Sequence, residues 1–125
     1  MKKILSMTFL LITLASCGSD YNSNYGDYSK YGPIEGIDSS TPDGARLLAA
    51  YRVMQGQCFS CHAGYADYKS SAAWVASGSS RVVAGSPTSS TIFTKLLNNG
   101  GTMPLNGSQL SADDVAAIEA WITGI

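Results

Sequence analysis

The stretch GQCFSCHAGY, residues 56–65, holds two of the three cysteines and the only histidine of a 125-residue chain. Cys58, Cys61 and His62 place three ligand-type side chains within five positions. The spacing C-x-x-C-H is open to four chemistries: a local disulfide, a zinc clip, a redox dithiol or covalent haem attachment. A disulfide closing over two residues leaves His62 without a task. Zinc takes four ligands, which here would draw on Cys17, far upstream. A redox dithiol is expected beside a strand in a βαβ setting.

The flanks bear on that last point. Upstream, STPDGARLLAAYRVMQGQ offers Ser40 or Thr41 as a cap, Pro42 at a first helical position and Asp43 in the first turn. Leu47, Leu48, Tyr51 and Met54 recur at helical spacing, and Gly56 is expected to end the helix. Downstream, SAAWVASG predicts a short helix. SPTSSTIFTKLLNNGG predicts a helix with Ile92, Phe93, Leu96 and Leu97 inward, stopped by Asn98, Asn99 and Gly100. LSADDVAAIEAWI predicts the clearest helix, with Ser111 as cap, Asp113 and Asp114 at its positive end, and Leu110 stapled to Val115. Val115, Ile118, Trp121 and Ile122 form its apolar stripe. No stretch alternates like a strand. The expected domain is all-α, residues 41–125, and is small enough to profit from a staple, a metal or a large cofactor.

Without a strand context for a dithiol, haem attachment is the favoured reading. Thiols three positions apart reach the two vinyl groups on one porphyrin edge, and the next histidine falls under the iron. A haem of this kind asks for a ligand on the other face or a deliberate vacancy. No second histidine exists. Met54 lies four residues before Cys58, too close to wrap round the porphyrin edge easily. Met103, in NNGGTMPLNGS, has chain enough to circle the ring, glycines that allow close backbone approach, and Pro104 to stiffen the next turn. Cys58 and Cys61 are therefore the expected attachment points of one haem c, and His62 and Met103 its axial ligands. Trp74 and Arg81 are candidate donors to the propionates, whose buried carboxylates need hydrogen bonds or counter-charge. Phe59, Tyr65, Tyr68, Phe93 and Trp121 read as core.

Taken together, CFSCH, VVAGSPTSSTIFTKL, TMPL and LSADDVAAIEAWITGI resemble a class I monohaem cytochrome c domain over residues 41–125. The resemblance implies a fold of three to four helices around one covalent haem, with first and last helices crossing, and a low-spin His/Met iron with one haem edge exposed. It implies a carrier of single electrons between redox partner proteins, not an enzyme. Similar domains also serve as electron-accepting subunits of dehydrogenases or oxidases. A gas- or redox-sensing haem module is a further alternative, and it would require a labile or absent Met103 ligand. Two departures stand out. Many relatives place a proline soon after the haem motif, whose carbonyl holds the axial histidine; here AGYADYKS follows, and the acceptor for His62 is unassigned. Many carry a basic docking surface, absent here.

MKKILSMTFLLITLASC opens the chain with two lysines and an apolar run from Ile4 to Ala15, too short to span a membrane and patterned as an export signal over residues 1–16. Leu14-Ala15-Ser16-Cys17 resembles a bacterial lipobox. That resemblance implies cleavage before Cys17 and lipid on Cys17, hence an exported, membrane-anchored protein facing the periplasm or exterior. Because no aspartate follows the cysteine, the outer membrane is favoured in a host that has one. The alternative is an ordinary signal peptide that leaves Cys17 as a free thiol. Residues 17–40, rich in Gly, Ser, Asn, Asp and Tyr, read as the lipidated cysteine and a flexible tether. Removing Lys2 and Lys3 leaves six basic residues against nine acidic ones, a net charge of −3. Such a balance carries no nucleic-acid footprint.

Overall fold

A computed structural model describes residues 32–125. The expected signal peptide (residues 1–16), Cys17 and the tyrosines Tyr21, Tyr25, Tyr28 and Tyr31 lie outside the described residues. Four α-helices form the domain: α1 Pro42–Gln57, α2 Ser71–Ala76, α3 Thr91–Thr94 and α4 Ala112–Thr123. Among the described residues there is no strand, only an isolated parallel bridge between Leu96 and Met103. The domain is all-α. None of its described helices is long and apolar enough to cross a membrane.

Thr41 caps α1, its hydroxyl accepting from the Gly44 N–H at 3.0 Å, and Pro42 takes the first turn, where no N–H is needed. The helix does not stop at Gly56. It runs to Gln57, and the N–H groups of Cys58 and Phe59 both return to the Met54 carbonyl, at 2.7 and 3.1 Å. A glycine costs a helix only about 1 kcal/mol relative to alanine. Burial of Tyr51, Val53 and Met54 just upstream outweighs that. Ser111 caps α4 as expected, accepting from the Asp114 N–H at 3.1 Å. Asp114 itself is buried.

The helix expected over residues 86–97 is broken into three pieces. A 3₁₀ turn, Pro87–Ser89, precedes α3, and another, Leu97–Asn99, follows it. Ser90 and Leu96 between them are extended, with ψ of 120° and 142°. Local side-chain bonds explain the first break. Buried Ser90 donates its hydroxyl to the Ser86 carbonyl at 2.9 Å and accepts from the Val83 N–H at 2.8 Å, offering the backbone an alternative to helix. At the second break Leu97 donates to the Met103 carbonyl at 2.7 Å, so the chain pairs with a downstream loop instead of with itself.

α1 packs across α4 in the principal helix–helix contact of the domain. Leu47, Ala50, Tyr51, Val53 and Met54 from α1 meet Ile118, Trp121 and Ile122 from α4, with Trp74 of α2 edge-on to Trp121 at 5.6 Å. Leu48 and Val115, expected in the stripes, are only partly buried. A polar chain threads this apolar junction. The Trp121 indole N–H donates to Ser71 Oγ at 2.9 Å, and that hydroxyl donates to Asp43 Oδ1 at 2.9 Å, tying α4 to α2 and α1. Arg46 donates to the Gly124 carbonyl at 2.8 Å, a cation at the negative end of α4.

The folded body also reaches further upstream than residue 41. Ile37 is 6% exposed and part of the core, and its N–H donates to the Ile34 carbonyl at 3.0 Å. Arg52 donates to the Gly32 carbonyl at 2.6 Å. Gly44 admits this segment, since a Cβ there would stand 1.8 Å from the Asp38 carbonyl oxygen. Residues 32–40, assigned by composition to the tether, run back along α1 as part of the domain.

Candidate functional site

The C-terminal end of α1 delivers the motif. Cys58 caps the helix, and its carbonyl accepts from the N–H groups of Cys61 and His62 at 3.2 and 2.8 Å, curling C-F-S-C-H into a tight turn. Cys58 is partly buried, and burial pushes its thiol up to about 11, because charge is disfavoured away from water. Cys61 is exposed. His62 opens a 3₁₀ turn, Ala63–Asp67, in which the Tyr65 N–H donates to the His62 carbonyl at 2.9 Å. In that geometry residues three apart eclipse. The rings of His62 and Tyr65 accordingly stack, with centroids 4.8 Å apart and planes 12° from parallel.

Met103 comes from the opposite direction, on the loop between α3 and α4. Its N–H and that of Thr102 both donate to the Lys95 carbonyl, at 2.8 and 3.0 Å, and the Gly101 N–H donates to the Leu96 carbonyl at 2.9 Å. With the Leu97 bond, the loop is pinned on both sides of Met103. Pro104, joined to Met103 through a cis peptide, is buried.

These two segments face one cavity of about 320 Å³, at the small end of ligand pockets. Cys58, His62 and Met103 all line it. So does Met54, and the floor is otherwise apolar, with Leu96 and Ile118. Its charged lining side chains are Arg81 and Lys95; no carboxylate lines it. The charge of the lining is thus opposite in sign to that of the whole chain, which has more acidic than basic residues.

Of the residues expected at the site, Cys58, His62, Met103 and Arg81 are brought together, while Cys61 and Trp74 are not in the wall. Trp74 sits one layer behind, edge-on to Tyr65 at 5.3 Å, and fully buried. Its indole N–H is buried with no hydrogen-bond partner. An orphaned buried donor costs about 1–3 kcal/mol unless something accepts from it. Arg81 holds the Ser77 carbonyl at 3.1 Å and lies over the Tyr65 ring, 5.1 Å from its centroid. Tyr65, which read as core, and Lys95, which the linear pattern did not single out, are also wall residues.

A haem fits the donor set at this site. Imidazole and thioether are present for the iron, apolar walls for the porphyrin, and two cations for the propionates. Among the described residues no group of three or more His, Cys, Asp or Glu side chains converges as a metal site. Compared with protein-family models, curated proteins and solved structures, the chain finds no match in any of the three.

Proposed function

We propose that the chain is a monohaem c-type cytochrome that carries single electrons between redox partner proteins. The observation that supports it most is the shared cavity. His62 and Met103, far apart in sequence, line the same apolar space beside Cys58, under cations alone. A haem bound there would supply a one-electron iron couple. His62 and Met103 would hold the iron, and Cys58 and Cys61 would hold the ring through thioethers. The chain's own part is positioning and solvent exclusion. Leu96, Ile118 and Met54 keep the floor dry. The pinned loop holds Met103 in place. Arg81 and Lys95 offer propionate partners. Methionine ligation favours the reduced iron and a relatively high potential.

The loop's hydrogen bonds argue against a gas or redox sensor, which needs a sixth ligand that leaves readily. An electron-accepting subunit of a larger oxidoreductase uses the same site, and co-purification of a catalytic partner distinguishes it. Export and a lipid anchor on Cys17 complete the proposal, and Cys17→Ser is expected to yield a soluble or unprocessed form. The deciding experiment is expression with a haem-maturation system. Haem stain should persist on the denatured chain after acid–acetone extraction. Met103→Ala should remove the sulfur-to-iron band of the ferric spectrum and admit carbon monoxide, whereas Met54→Ala should do neither. Extractable haem, or none, refutes the proposal.

A further inference from the structure

We infer that Tyr65 is the positioning residue that sets the ring plane of His62, in place of a hydrogen-bond acceptor; for the iron-bound state this rests on the haem reading above. A metal-bound histidine usually donates its other N–H to a carbonyl or carboxylate, which fixes the ring's orientation and raises its basicity. Among the described residues no side-chain hydrogen bond holds the His62 ring. What holds it is the near-parallel stack on Tyr65, 4.8 Å between centroids.

Tyr65 can serve because it is itself clamped. Trp74 packs edge-on against it at 5.3 Å, 72° between planes. Arg81 lies over its face at 5.1 Å. Tyr68 flanks it at 6.3 Å and joins Trp74 at 5.0 Å. The 3₁₀ turn favours the stack: a repeat of three brings His62 and Tyr65 to one face, and the Tyr65 N–H donates to the His62 carbonyl at 2.9 Å. Stacking orients the ring but accepts no proton. The stack therefore fixes the ring plane without the added ligand basicity that a hydrogen-bond acceptor would give.

His62 is the only histidine in the chain, so one selectively labelled imidazole reports on the stack by NMR. In the full chain without haem, its ring protons should lie upfield of a free imidazole and show Overhauser contacts to the Tyr65 ring. Tyr65→Phe should preserve the displacement, Tyr65→Leu should abolish it, and Tyr68→Leu, equally disruptive to the aromatic cluster, should leave it in place. In the haem-loaded chain, Tyr65→Leu should change the pattern of paramagnetically shifted haem methyls, which follows the ligand ring plane, and Tyr65→Phe should restore it. Absence of the Overhauser contact in the wild type overturns the inference without any variant. So does a loaded Tyr65→Leu protein with unchanged methyl shifts. Failure of haem to attach would strike the cytochrome proposal alone, because the unloaded arm still decides the stack.

Discussion

Gly101→Ala tests the arrangement that presents Met103. A Cβ at Gly101 would stand 2.1 Å from the Lys95 carbonyl oxygen, 2.2 Å from its carbon and 2.5 Å from its Cα. All three are backbone atoms, so no rotamer change relieves the clash. Ordinary contact begins near 3.4 Å, and the two segments have to part by more than about 1 Å, enough to break a hydrogen bond of normal length. The bonds at stake are Gly101 to Leu96, Thr102 and Met103 to Lys95, and Leu97 to Met103. Losing two or three of them costs roughly 2–4 kcal/mol at about 0.5–1.5 kcal/mol each. For a domain of this size that lowers the melting temperature by on the order of 10–20 °C. Gly100, one residue earlier, is the control. It has φ of 80° with open space around its Cβ, so Gly100→Asn, which tolerates that conformation, should be nearly neutral. Thermal unfolding followed by circular dichroism reads the stability. In the haem-loaded protein, loss of the sulfur-to-iron band and new carbon monoxide binding read the ligand. A Gly101→Ala protein that melts within a degree or two of wild type and keeps that band would refute the reasoning.

Three further outcomes are expected. In the unloaded, reduced protein the Cys58 thiol, at about 11 against 9.0 for an ordinary cysteine, should react with iodoacetamide at pH 8 about a hundredfold more slowly than in urea, since only the thiolate attacks. The same shift makes the folded form bind the extra proton, so its stabilising effect is complete below pH 9 and is lost as pH rises through 11, by at most about 2–3 kcal/mol; flat stability over that range in urea titrations would contradict it. Ile37→Ala should destabilise by about 2–5 kcal/mol, the usual range for a buried aliphatic truncation, whereas a segment lying free of the domain would show no change in urea midpoint. Ser71→Ala strands the Trp121 indole N–H in the core and should cost about 1–3 kcal/mol, with Ser71→Thr recovering part of it in the same titration.

α1 and α4 were legible in the linear pattern because each carries its own start signal and its own apolar stripe. Thr41-Pro42 and Ser111 cap them, and the stripes need only helical periodicity. The middle of the chain was not legible for the converse reason. Its breaks at Ser90 and Leu96 depend on a buried hydroxyl and on backbone pairing with the Met103 loop, neither of which apolar periodicity marks. Ile34 and Ile37 were visible as apolar residues three apart in a polar stretch, but composition averaged them away. At the site, Cys58, His62 and Met103 are marked by residue type alone. Tyr65 and Lys95 are not: they become wall residues through a 3₁₀ turn and a loop pairing that no motif encodes. The outward position of Cys61 is likewise a property of the turn's curl.

The path of residues 32–40 along α1 has a mechanical consequence. Arg52 grips Gly32 about 9 Å along the helix axis from Cys58, and the segment then runs away from the cavity to enter α1 at Thr41, about 24 Å from that end. Traction applied upstream of Gly32 therefore meets Arg52 first, then the plug of Ile37, and only afterwards the first turn of α1. The segment peels bond by bond, as a cable clamp yields before the cable reaches the terminal. Load therefore passes sideways into the body of α1 through Arg52 and Ile37 before it reaches the helix backbone at Thr41.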